Sequence, residues 1–107
     1  MTGYTDLGVE VALTELDIRF EDASTARTNT SGLAMQAQEY YDSVKACVDV
    51  AGCVGVTVWD FADKYSWIPL TFEGEGAADL YWEDYERKPA YYAVGEALQG
   101  VGCSVCA

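Results

Sequence analysis

Short apolar segments alternate with a longer amphipathic one along the chain. Residues 9–14 are nearly continuous in apolar character and rich in β-branched side chains, which predicts a parallel strand buried on both faces. An amphipathic helix is predicted from Leu33 to about Asp49, with Thr30 or Ser31 as its N-cap. Its apolar positions recur at steps of three and four residues: Leu33, Ala37, Tyr41, Val44 and Val48.

The second half of the chain repeats this order of strand and helix. Residues 54–59 predict a second short strand, in which Gly55 indicates either a close approach of another backbone or tight packing inside a barrel. Pro89 predicts the first turn of a final helix that ends at Gly100, and Gly95 within it is expected to be small for packing. The apolar face of this helix comprises Ala90, Val94, Ala97 and Val101.

The predicted fold class is α/β, a β-α-β-α segment with parallel strands. Parallel strands need neighbours on both sides to cover their edges, and two strands do not provide them. A complete (β/α)₈ barrel takes about 250 residues, whereas this chain has 107. We therefore predict part of a TIM barrel over residues 1–100, followed by a cysteine-containing tail at 101–107.

The charge of the chain limits the classes of partner that it can bind. Eighteen acidic residues stand against six basic ones, there is no histidine, and the formal net charge is −12. Phosphate backbones and anionic membrane surfaces would be repelled, so neither nucleic acid nor a membrane is an expected partner. No export signal and no membrane-spanning apolar stretch are visible in the sequence.

Four cysteines form two close pairs in the sequence. An even count with such spacing favours oxidation outside the cytosol over metal binding, and no histidine is present to complete a zinc site. For Cys103 and Cys106, three alternatives stay open: they pair with each other, begin a linker to another module, or belong to frame-shifted sequence. Neither a metal nor a cofactor is expected.

Carboxylates follow the first predicted strand, at the end where TIM barrels carry their active sites. Glu15 comes directly after the apolar segment, where an ionised group is costly unless it faces a polar cleft or a partner. Asp17 would point to the same side as Glu15 if the extended conformation continued. The competing interpretation is that Asp17 pairs with Arg19 or caps the following loop, and we assign it a supporting role.

Aromatic side chains follow the second predicted strand. Trp59, Tyr65 and Trp67 would offer flat faces beside the carboxylates, as a sugar-binding cleft requires, because pyranose rings present apolar C–H faces. Packing within a core is the alternative for each of them.

The motifs VEVALTELDIRF, ACVDVAGC, VGVTVWDFADKYSWIP and RKPAYYAVGEAL occur in that order. Together they resemble the last two βα units, strands 7 and 8 with their helices, of glycoside hydrolase family 10 xylanases. The resemblance covers about residues 4–99, and Cys47 with Cys53 is similar to the fungal branch, where such a pair forms a disulfide.

The resemblance implies a retaining endo-1,4-β-xylanase. Glu15 would be the nucleophile that forms a glycosyl-enzyme, and Trp59 and Trp67 would line the cleft. The acid/base glutamate of the family lies on an earlier strand that this chain lacks, so we expect the isolated chain to be inactive and the sequence to continue upstream of Met1.

The same resemblance implies xylan or xylo-oligosaccharides as substrate, a monomeric parent protein and a secreted location. The alternative hypothesis is a non-catalytic segment that binds carbohydrate or another partner without performing chemistry.

Overall fold

Two parallel strands flanked by two long helices form the centre of the computed structural model, which describes residues 1–107. The elements follow in the order α1 Thr2–Thr5, β1 Val11–Leu16, a 3₁₀ turn Ala23–Thr28, α2 Thr30–Val48, β2 Cys53–Val58, a second 3₁₀ turn Asp63–Tyr65, α3 Ile68–Thr71 and α4 Pro89–Gln99. The predicted β-α-β-α segment of a TIM barrel is confirmed.

Strands β1 and β2 pair in parallel with two irregularities. Val11 lies opposite Cys53, Leu13 opposite Val56 and Leu16 opposite Val58, so the register shifts once on each strand. The shift on β2 falls beside Gly55, whose missing Cβ would meet no atom within 4 Å. No other backbone approaches this glycine within the chain, where it lies at a bulge-like step, and its tight packing inside a complete barrel stays a prediction.

The first strand is not buried on both faces. It begins two residues later than predicted, at Val11, and its residues alternate between half-buried and exposed with a break at Glu15. Only β2 pairs with it, so one edge of each strand is open. The apolar character of residues 9–14 therefore exceeds what this chain alone can bury.

The two long helices pack against each other and form the core. Buried side chains from α2 (Ala37, Tyr41 and Val44) meet Ala93 and Ala97 of α4. The N-cap of α2 is Asn29, whose side chain accepts a hydrogen bond from the Gly32 amide at 2.9 Å, rather than the predicted Thr30 or Ser31. Gly100 ends α4 in the left-handed conformation, as predicted. None of the helices is long and apolar enough to span a membrane.

Both cysteine pairs form disulfides. Cys47 at the end of α2 is joined to Cys53 at the start of β2, with their Cα atoms 5.2 Å apart. Cys103 is joined to Cys106 in the tail. Of the three alternatives for the tail cysteines, the structure has the pair bonded to each other.

The tail packs against the helices instead of extending from them. The Tyr41 hydroxyl donates to the Val101 carbonyl at 2.7 Å, and the Ser104 hydroxyl donates to Glu96 at 3.0 Å. Cys103, Val105 and Cys106 contact the helical core. Residues 101–107 are thus part of the packed structure.

The dimensions of the chain fit a slab rather than a closed domain. Its extents are 43 × 31 × 20 Å and its radius of gyration is 14.3 Å, against about 13 Å expected for a compact domain of this length. Its accessible surface is 6381 Å², against about 5,900 Å² expected for a folded monomer of this mass. The chain therefore leaves apolar surface exposed.

We expect the isolated chain to unfold with low cooperativity, because its strand edges and exposed apolar side chains lack partners. Far-UV circular dichroism should show a broad thermal transition, and a dye specific for exposed apolar surface should bind before melting. A sharp calorimetric transition from a monomer, with equal calorimetric and van't Hoff enthalpies, would contradict this prediction.

Candidate active site

Glu15 lies at the end of β1 in a strained backbone conformation. Its φ angle is +61°, in the left-handed region that non-glycine residues rarely adopt. This conformation accounts for the extra residue that β1 carries between Leu13 and Leu16 in the register. The Glu15 side chain is exposed, and none of the ion pairs in the structure involves it. Strain of this kind is concentrated at functional sites.

Asp17 is held by an aromatic side chain. The indole Nε1 of Trp67 donates to Asp17 Oδ2 at 2.9 Å. Arg19 instead places its Nε 3.7 Å from Glu75 Oε1 and stacks over Phe72. The prediction that Asp17 pairs with Arg19 is therefore wrong. Because Glu15 interrupts the extended conformation, strand alternation no longer defines the side to which Asp17 points.

The two strands end side by side. The Trp59 amide donates to the Leu16 carbonyl at 2.9 Å, which aligns the end of β2 with the end of β1. Asp60, directly after Trp59, has a φ angle of +63° and is exposed. An exposed carboxylate on a left-handed backbone therefore lies at each strand end, and the sequence pattern revealed this conformation for neither Glu15 nor Asp60.

Exposed aromatic rings surround these strand ends. Trp59 and Trp67 are 40% and 42% exposed, so both are partly accessible from solvent. Trp67 also packs edge-on against Phe72, with ring centroids 5.8 Å apart. The Tyr65 hydroxyl forms a hydrogen bond with that of Tyr85 at 2.9 Å. The loop after β2 thus presents aromatic surface beside the carboxylates.

A buried ion pair anchors the long loop that follows β2. The ammonium group of Lys88 is fully buried and lies 2.8 Å from Asp63 Oδ2. It also donates to the Ala77 carbonyl at 2.7 Å and lies 4.5 Å from the centre of the Trp82 ring. Burial lowers the pKa of Lys88, and burial raises the pKa of Asp63 although Lys88 opposes that rise.

Residues 76–79 connect this loop with the segment after β1. The Ile18 amide donates to the Ala78 carbonyl at 3.1 Å. The side-chain amide of Gln36 donates to the carbonyls of both Ile18 and Ala77, each at 2.7 Å. The segments that carry Asp17 and Trp67 are therefore both hydrogen-bonded to, or continuous with, the backbone of residues 76–79.

Sequence reasoning missed these connecting residues. Gln36 occupies a polar position in the helical pattern, and Lys88 precedes a helix-starting proline, so both resemble solvent-facing residues. Both side chains bind the Ala77 carbonyl, which lies 41 residues from Gln36 and 11 residues from Lys88 in the sequence. The one available signal was Lys88 within the resemblance motif RKPAYYAVGEAL.

Asp79 is a buried carboxyl group without a partner. Its side chain is fully buried, and neither carboxyl oxygen has a hydrogen-bond partner. Burial, reinforced by the charges of Asp63 and Asp60, raises the pKa of Asp79 from 3.8 to about 7. Asp79 is therefore largely protonated in mildly acidic solution.

The strand ends carry two exposed carboxylates, Glu15 within β1 and Asp60 after β2. Retaining glycoside hydrolysis uses two carboxyl groups about 5–5.5 Å apart on opposite sides of the scissile bond. Asp17 follows Glu15 on the same strand end and is bonded to Trp67, so it does not supply the opposite group. No group of three or more cysteine or acidic side chains is arranged to hold a metal ion.

Comparison with known sequences finds a family and several relatives similar to the chain. The model described as glycosyl hydrolase family 10 matches residues 1–97. Endo-1,4-beta-xylanase A of Humicola insolens is 57% identical over 96 residues, covering 90% of this chain and 24% of the relative. The chain thus spans about a quarter of the length of this relative.

Solved structures of similar proteins share the arrangement of strands and helices. Penicillium canescens endo-1,4-beta-xylanase XylE has a TM-score of 0.92 and 46% identity, covering 97% of this chain and 31% of that chain. Xylanase 10B from Thermotoga petrophila RKU-1 in complex with xylobiose has a TM-score of 0.81 and 32% identity, covering 92% of this chain and 29% of that chain.

Asp79 should make the stability of the fold depend on pH. The pKa of Asp79 is about 7 in the folded chain and 3.8 ordinarily. Its contribution to the free energy of unfolding is therefore most favourable below pH ~4 and is lost as pH rises through 7. Asp79→Asn should match the parent at pH 4 and be more stable at pH 8, by on the order of a few kcal/mol.

The measurement is the midpoint of thermal loss of far-UV ellipticity at pH 4, 6 and 8. Asp6→Asn, at an exposed position of the first turn, is the matched control. A difference between Asp79→Asn and the parent that stays constant from pH 4 to 8 would refute the raised pKa.

Proposed function

The chain belongs to glycosyl hydrolase family 10, and we propose that it forms the carboxyl-terminal part of a retaining endo-1,4-β-xylanase in which Glu15 is the nucleophile. The observation that carries this proposal is the position of Glu15 at the carboxyl end of a barrel strand, on a left-handed backbone and free of ion pairs. Active sites of TIM barrels lie at this end of the strands.

In this mechanism, Glu15 attacks the anomeric carbon and forms a glycosyl-enzyme. A second carboxyl group from another part of the barrel protonates the leaving oxygen and later activates the water that releases the sugar. Glu15 suits the first role, because an exposed and unpaired carboxylate is available to a sugar ring without first breaking an ion pair.

Trp59 and Trp67 are proposed to bind sugar rings. Both are partly exposed near the strand ends, and an aromatic ring packs well against the C–H face of a pyranose. Asp17 acts indirectly: by accepting the indole hydrogen bond at 2.9 Å, it fixes the orientation of Trp67. Its role is therefore positioning.

The proposed substrate is xylan or a xylo-oligosaccharide. Its backbone is uncharged, so the negative charge of the chain does not repel it. Two disulfides support an extracellular location. The non-catalytic alternative keeps the aromatic contacts and assigns no chemistry to Glu15, so the two are separated by substituting that residue.

Glu15→Gln should abolish turnover in a complete barrel. The test protein joins this chain to the amino-terminal three quarters of the Humicola insolens relative, and the readout is hydrolysis of an aryl xylobioside. We expect kcat to fall roughly 10³-fold or more, equivalent to about 4 kcal/mol of transition-state stabilisation. Mass spectrometry should find a 2-fluoro-xylobiosyl label on Glu15 of the unsubstituted protein.

The matched control is Glu10→Gln, the same substitution at the residue just before β1, which should leave kcat unchanged. If Glu15→Gln retains full turnover, or if the label lies on another residue, Glu15 is not the nucleophile.

Asp17→Ala should weaken substrate binding through Trp67. Loss of one partly exposed hydrogen bond to a carboxylate costs on the order of 1 kcal/mol, which corresponds to a rise in KM of about fivefold. Asp17→Asn should restore most of the loss, because its amide oxygen still accepts the indole hydrogen bond. Equal defects in the two variants would show that the charge of Asp17, and not this bond, matters.

A further inference from the structure

Asp79 carries a buried carboxyl group beside the ion pair that anchors the loop after β2. The residue is 0% exposed, and neither of its carboxyl oxygens has a hydrogen-bond partner. Because this chain alone already shields Asp79 completely, a neighbouring unit of a barrel cannot reach these oxygens without displacing the residues around them. The unpartnered carboxyl is therefore a property of this chain and is expected to persist in a longer protein.

Charged groups from several segments act on Asp79. They come from the residues after β1 and β2, from the second 3₁₀ turn and from the start of α4: Asp17, Asp60, Asp63 and Lys88. The remaining titratable neighbour is Tyr40 of α2, whose hydroxyl donates to the carbonyl of Ala78, the residue before Asp79. Three of the four charged neighbours are acidic, so the surroundings of Asp79 disfavour another negative charge.

The single cation among these neighbours is already paired. The Lys88 ammonium donates to Asp63 Oδ1 at 2.9 Å and lies 2.8 Å from Asp63 Oδ2. A neutral Asp79 leaves this buried pair balanced. An ionised Asp79 would add an unpaired negative charge away from solvent and would repel the Asp63 carboxylate, both of which are unfavourable.

The backbone at Asp79 is bonded to both strand-end segments. The Asp79 amide donates to Asp63 Oδ1 at 3.0 Å. The carbonyl of the preceding residue, Ala78, accepts a hydrogen bond from the Ile18 amide at 3.1 Å. A shift of Asp79 would therefore move both the turn that begins at Asp63 and the residue that follows Asp17.

These two segments carry the partners of the Asp17–Trp67 hydrogen bond. Trp67 follows Ser66, whose amide donates to the Asp63 carbonyl at 3.2 Å. The bond from the Trp67 indole to Asp17 Oδ2, at 2.9 Å, thus connects two segments that are also joined in the interior next to Asp79. Repulsion between Asp79 and its acidic neighbours would act on both ends of this bond.

We propose that Asp79 is a positioning residue for Trp67: its neutral carboxyl keeps the two strand-end segments together, and its ionisation loosens the Asp17–Trp67 contact. Sugar binding at Trp67 then weakens as the solution becomes alkaline. The connection to sugar binding rests on the proposed function, whereas the control of Trp67 by Asp79 does not.

The first test follows the Trp67 indole by NMR in the 107-residue chain labelled with ¹⁵N-tryptophan. Burial and acidic neighbours raise the pKa of Asp79 to about 7, so its neutral form prevails at pH 5 and is lost as pH rises through 7. We expect the Trp67 indole N–H signal, identified through Trp67→Phe, to lose its hydrogen-bonded shift between pH 6 and 8. Asp79→Asn cannot ionise and should hold the signal at its pH 5 position up to pH 9.

The matched control is Asp6→Asn, which removes an exposed carboxylate and should titrate like the parent. The indole signal of Trp59 separates local loosening from unfolding, since Trp59 should keep its folded position at pH 9. If the Trp59 and Trp67 signals collapse together, the chain unfolds as a whole and the positioning role is refuted.

The second test measures sugar binding in the barrel completed with the amino-terminal part of the Humicola insolens relative. Glu15→Gln in that barrel should leave xylotriose intact, so its dissociation constant can be measured by calorimetry at pH 5 and pH 9. The constant should rise about fivefold, as for loss of one partly exposed hydrogen bond to a carboxylate. With Asp79→Asn added, the rise should be less than about twofold.

Asp79→Ala is the second variant, used if Asp79→Asn does not fold, because it also lacks an ionisable group. A Trp67 signal that is constant with pH in the parent, or that changes equally in the parent and in these variants, would overturn the proposal. Retention of turnover by Glu15→Gln would refute the nucleophile assignment alone, because the NMR test involves neither substrate nor Glu15.

Discussion

The buried ammonium group of Lys88 is the contact on which the arrangement of the strand-end loops depends. A charge in this position is tolerable only with partners, and it has the Asp63 carboxylate, the Ala77 carbonyl and the face of Trp82. Removing one member of such a pair typically costs about 3–5 kcal/mol, because the other charge stays buried and unpaired. Lys88 therefore specifies where the loop after β2 lies.

The backbone around Ala77 is also bound by a side chain from α2. Gln36 donates to Ala77, as Lys88 does, and also to Ile18 in the segment after β1. Helix α2 and the start of α4 thus hold both strand-end segments through one shared carbonyl. The bond from Trp67 to Asp17 closes the arrangement at the surface. The two halves of the candidate site are joined through shared buried anchors, although Glu15 and Asp60 themselves are exposed.

Periodicity and turn chemistry in the sequence were sufficient for the two strands, the two long helices and their order, but not for the short helices α1 and α3. The steps of three and four residues located α2, and Pro89 with Gly100 bounded α4, because these signals are local. They could not locate the left-handed conformations of Glu15 and Asp60. A positive φ angle at a non-glycine residue is imposed by tertiary packing, and the sequence provides no short-range signal for it.

The position of Glu15 was predictable, whereas its surroundings were not. The end of an apolar segment indicates a strand end, and the strand end of a TIM barrel indicates the active site. The bond of Asp17 joins residues 50 positions apart, so a local rule paired Asp17 with Arg19 instead. Long-range polar contacts such as those of Asp17, Gln36 and Lys88 decide the geometry of the site, and they are invisible to a pattern read along the chain.

Under the proposed function, this chain would supply some parts of a catalytic site and require others from elsewhere in the barrel. It contains a strained and accessible carboxylate, aromatic faces, and anchors for the loops that carry them. Retaining chemistry demands a second carboxyl group about 5–5.5 Å from the first, on the other side of the sugar, and a two-stranded sheet has no element on that side. The open edges of the sheet and, under the proposed function, the need for a carboxyl group opposite Glu15 therefore have one cause: both require neighbouring units of a barrel.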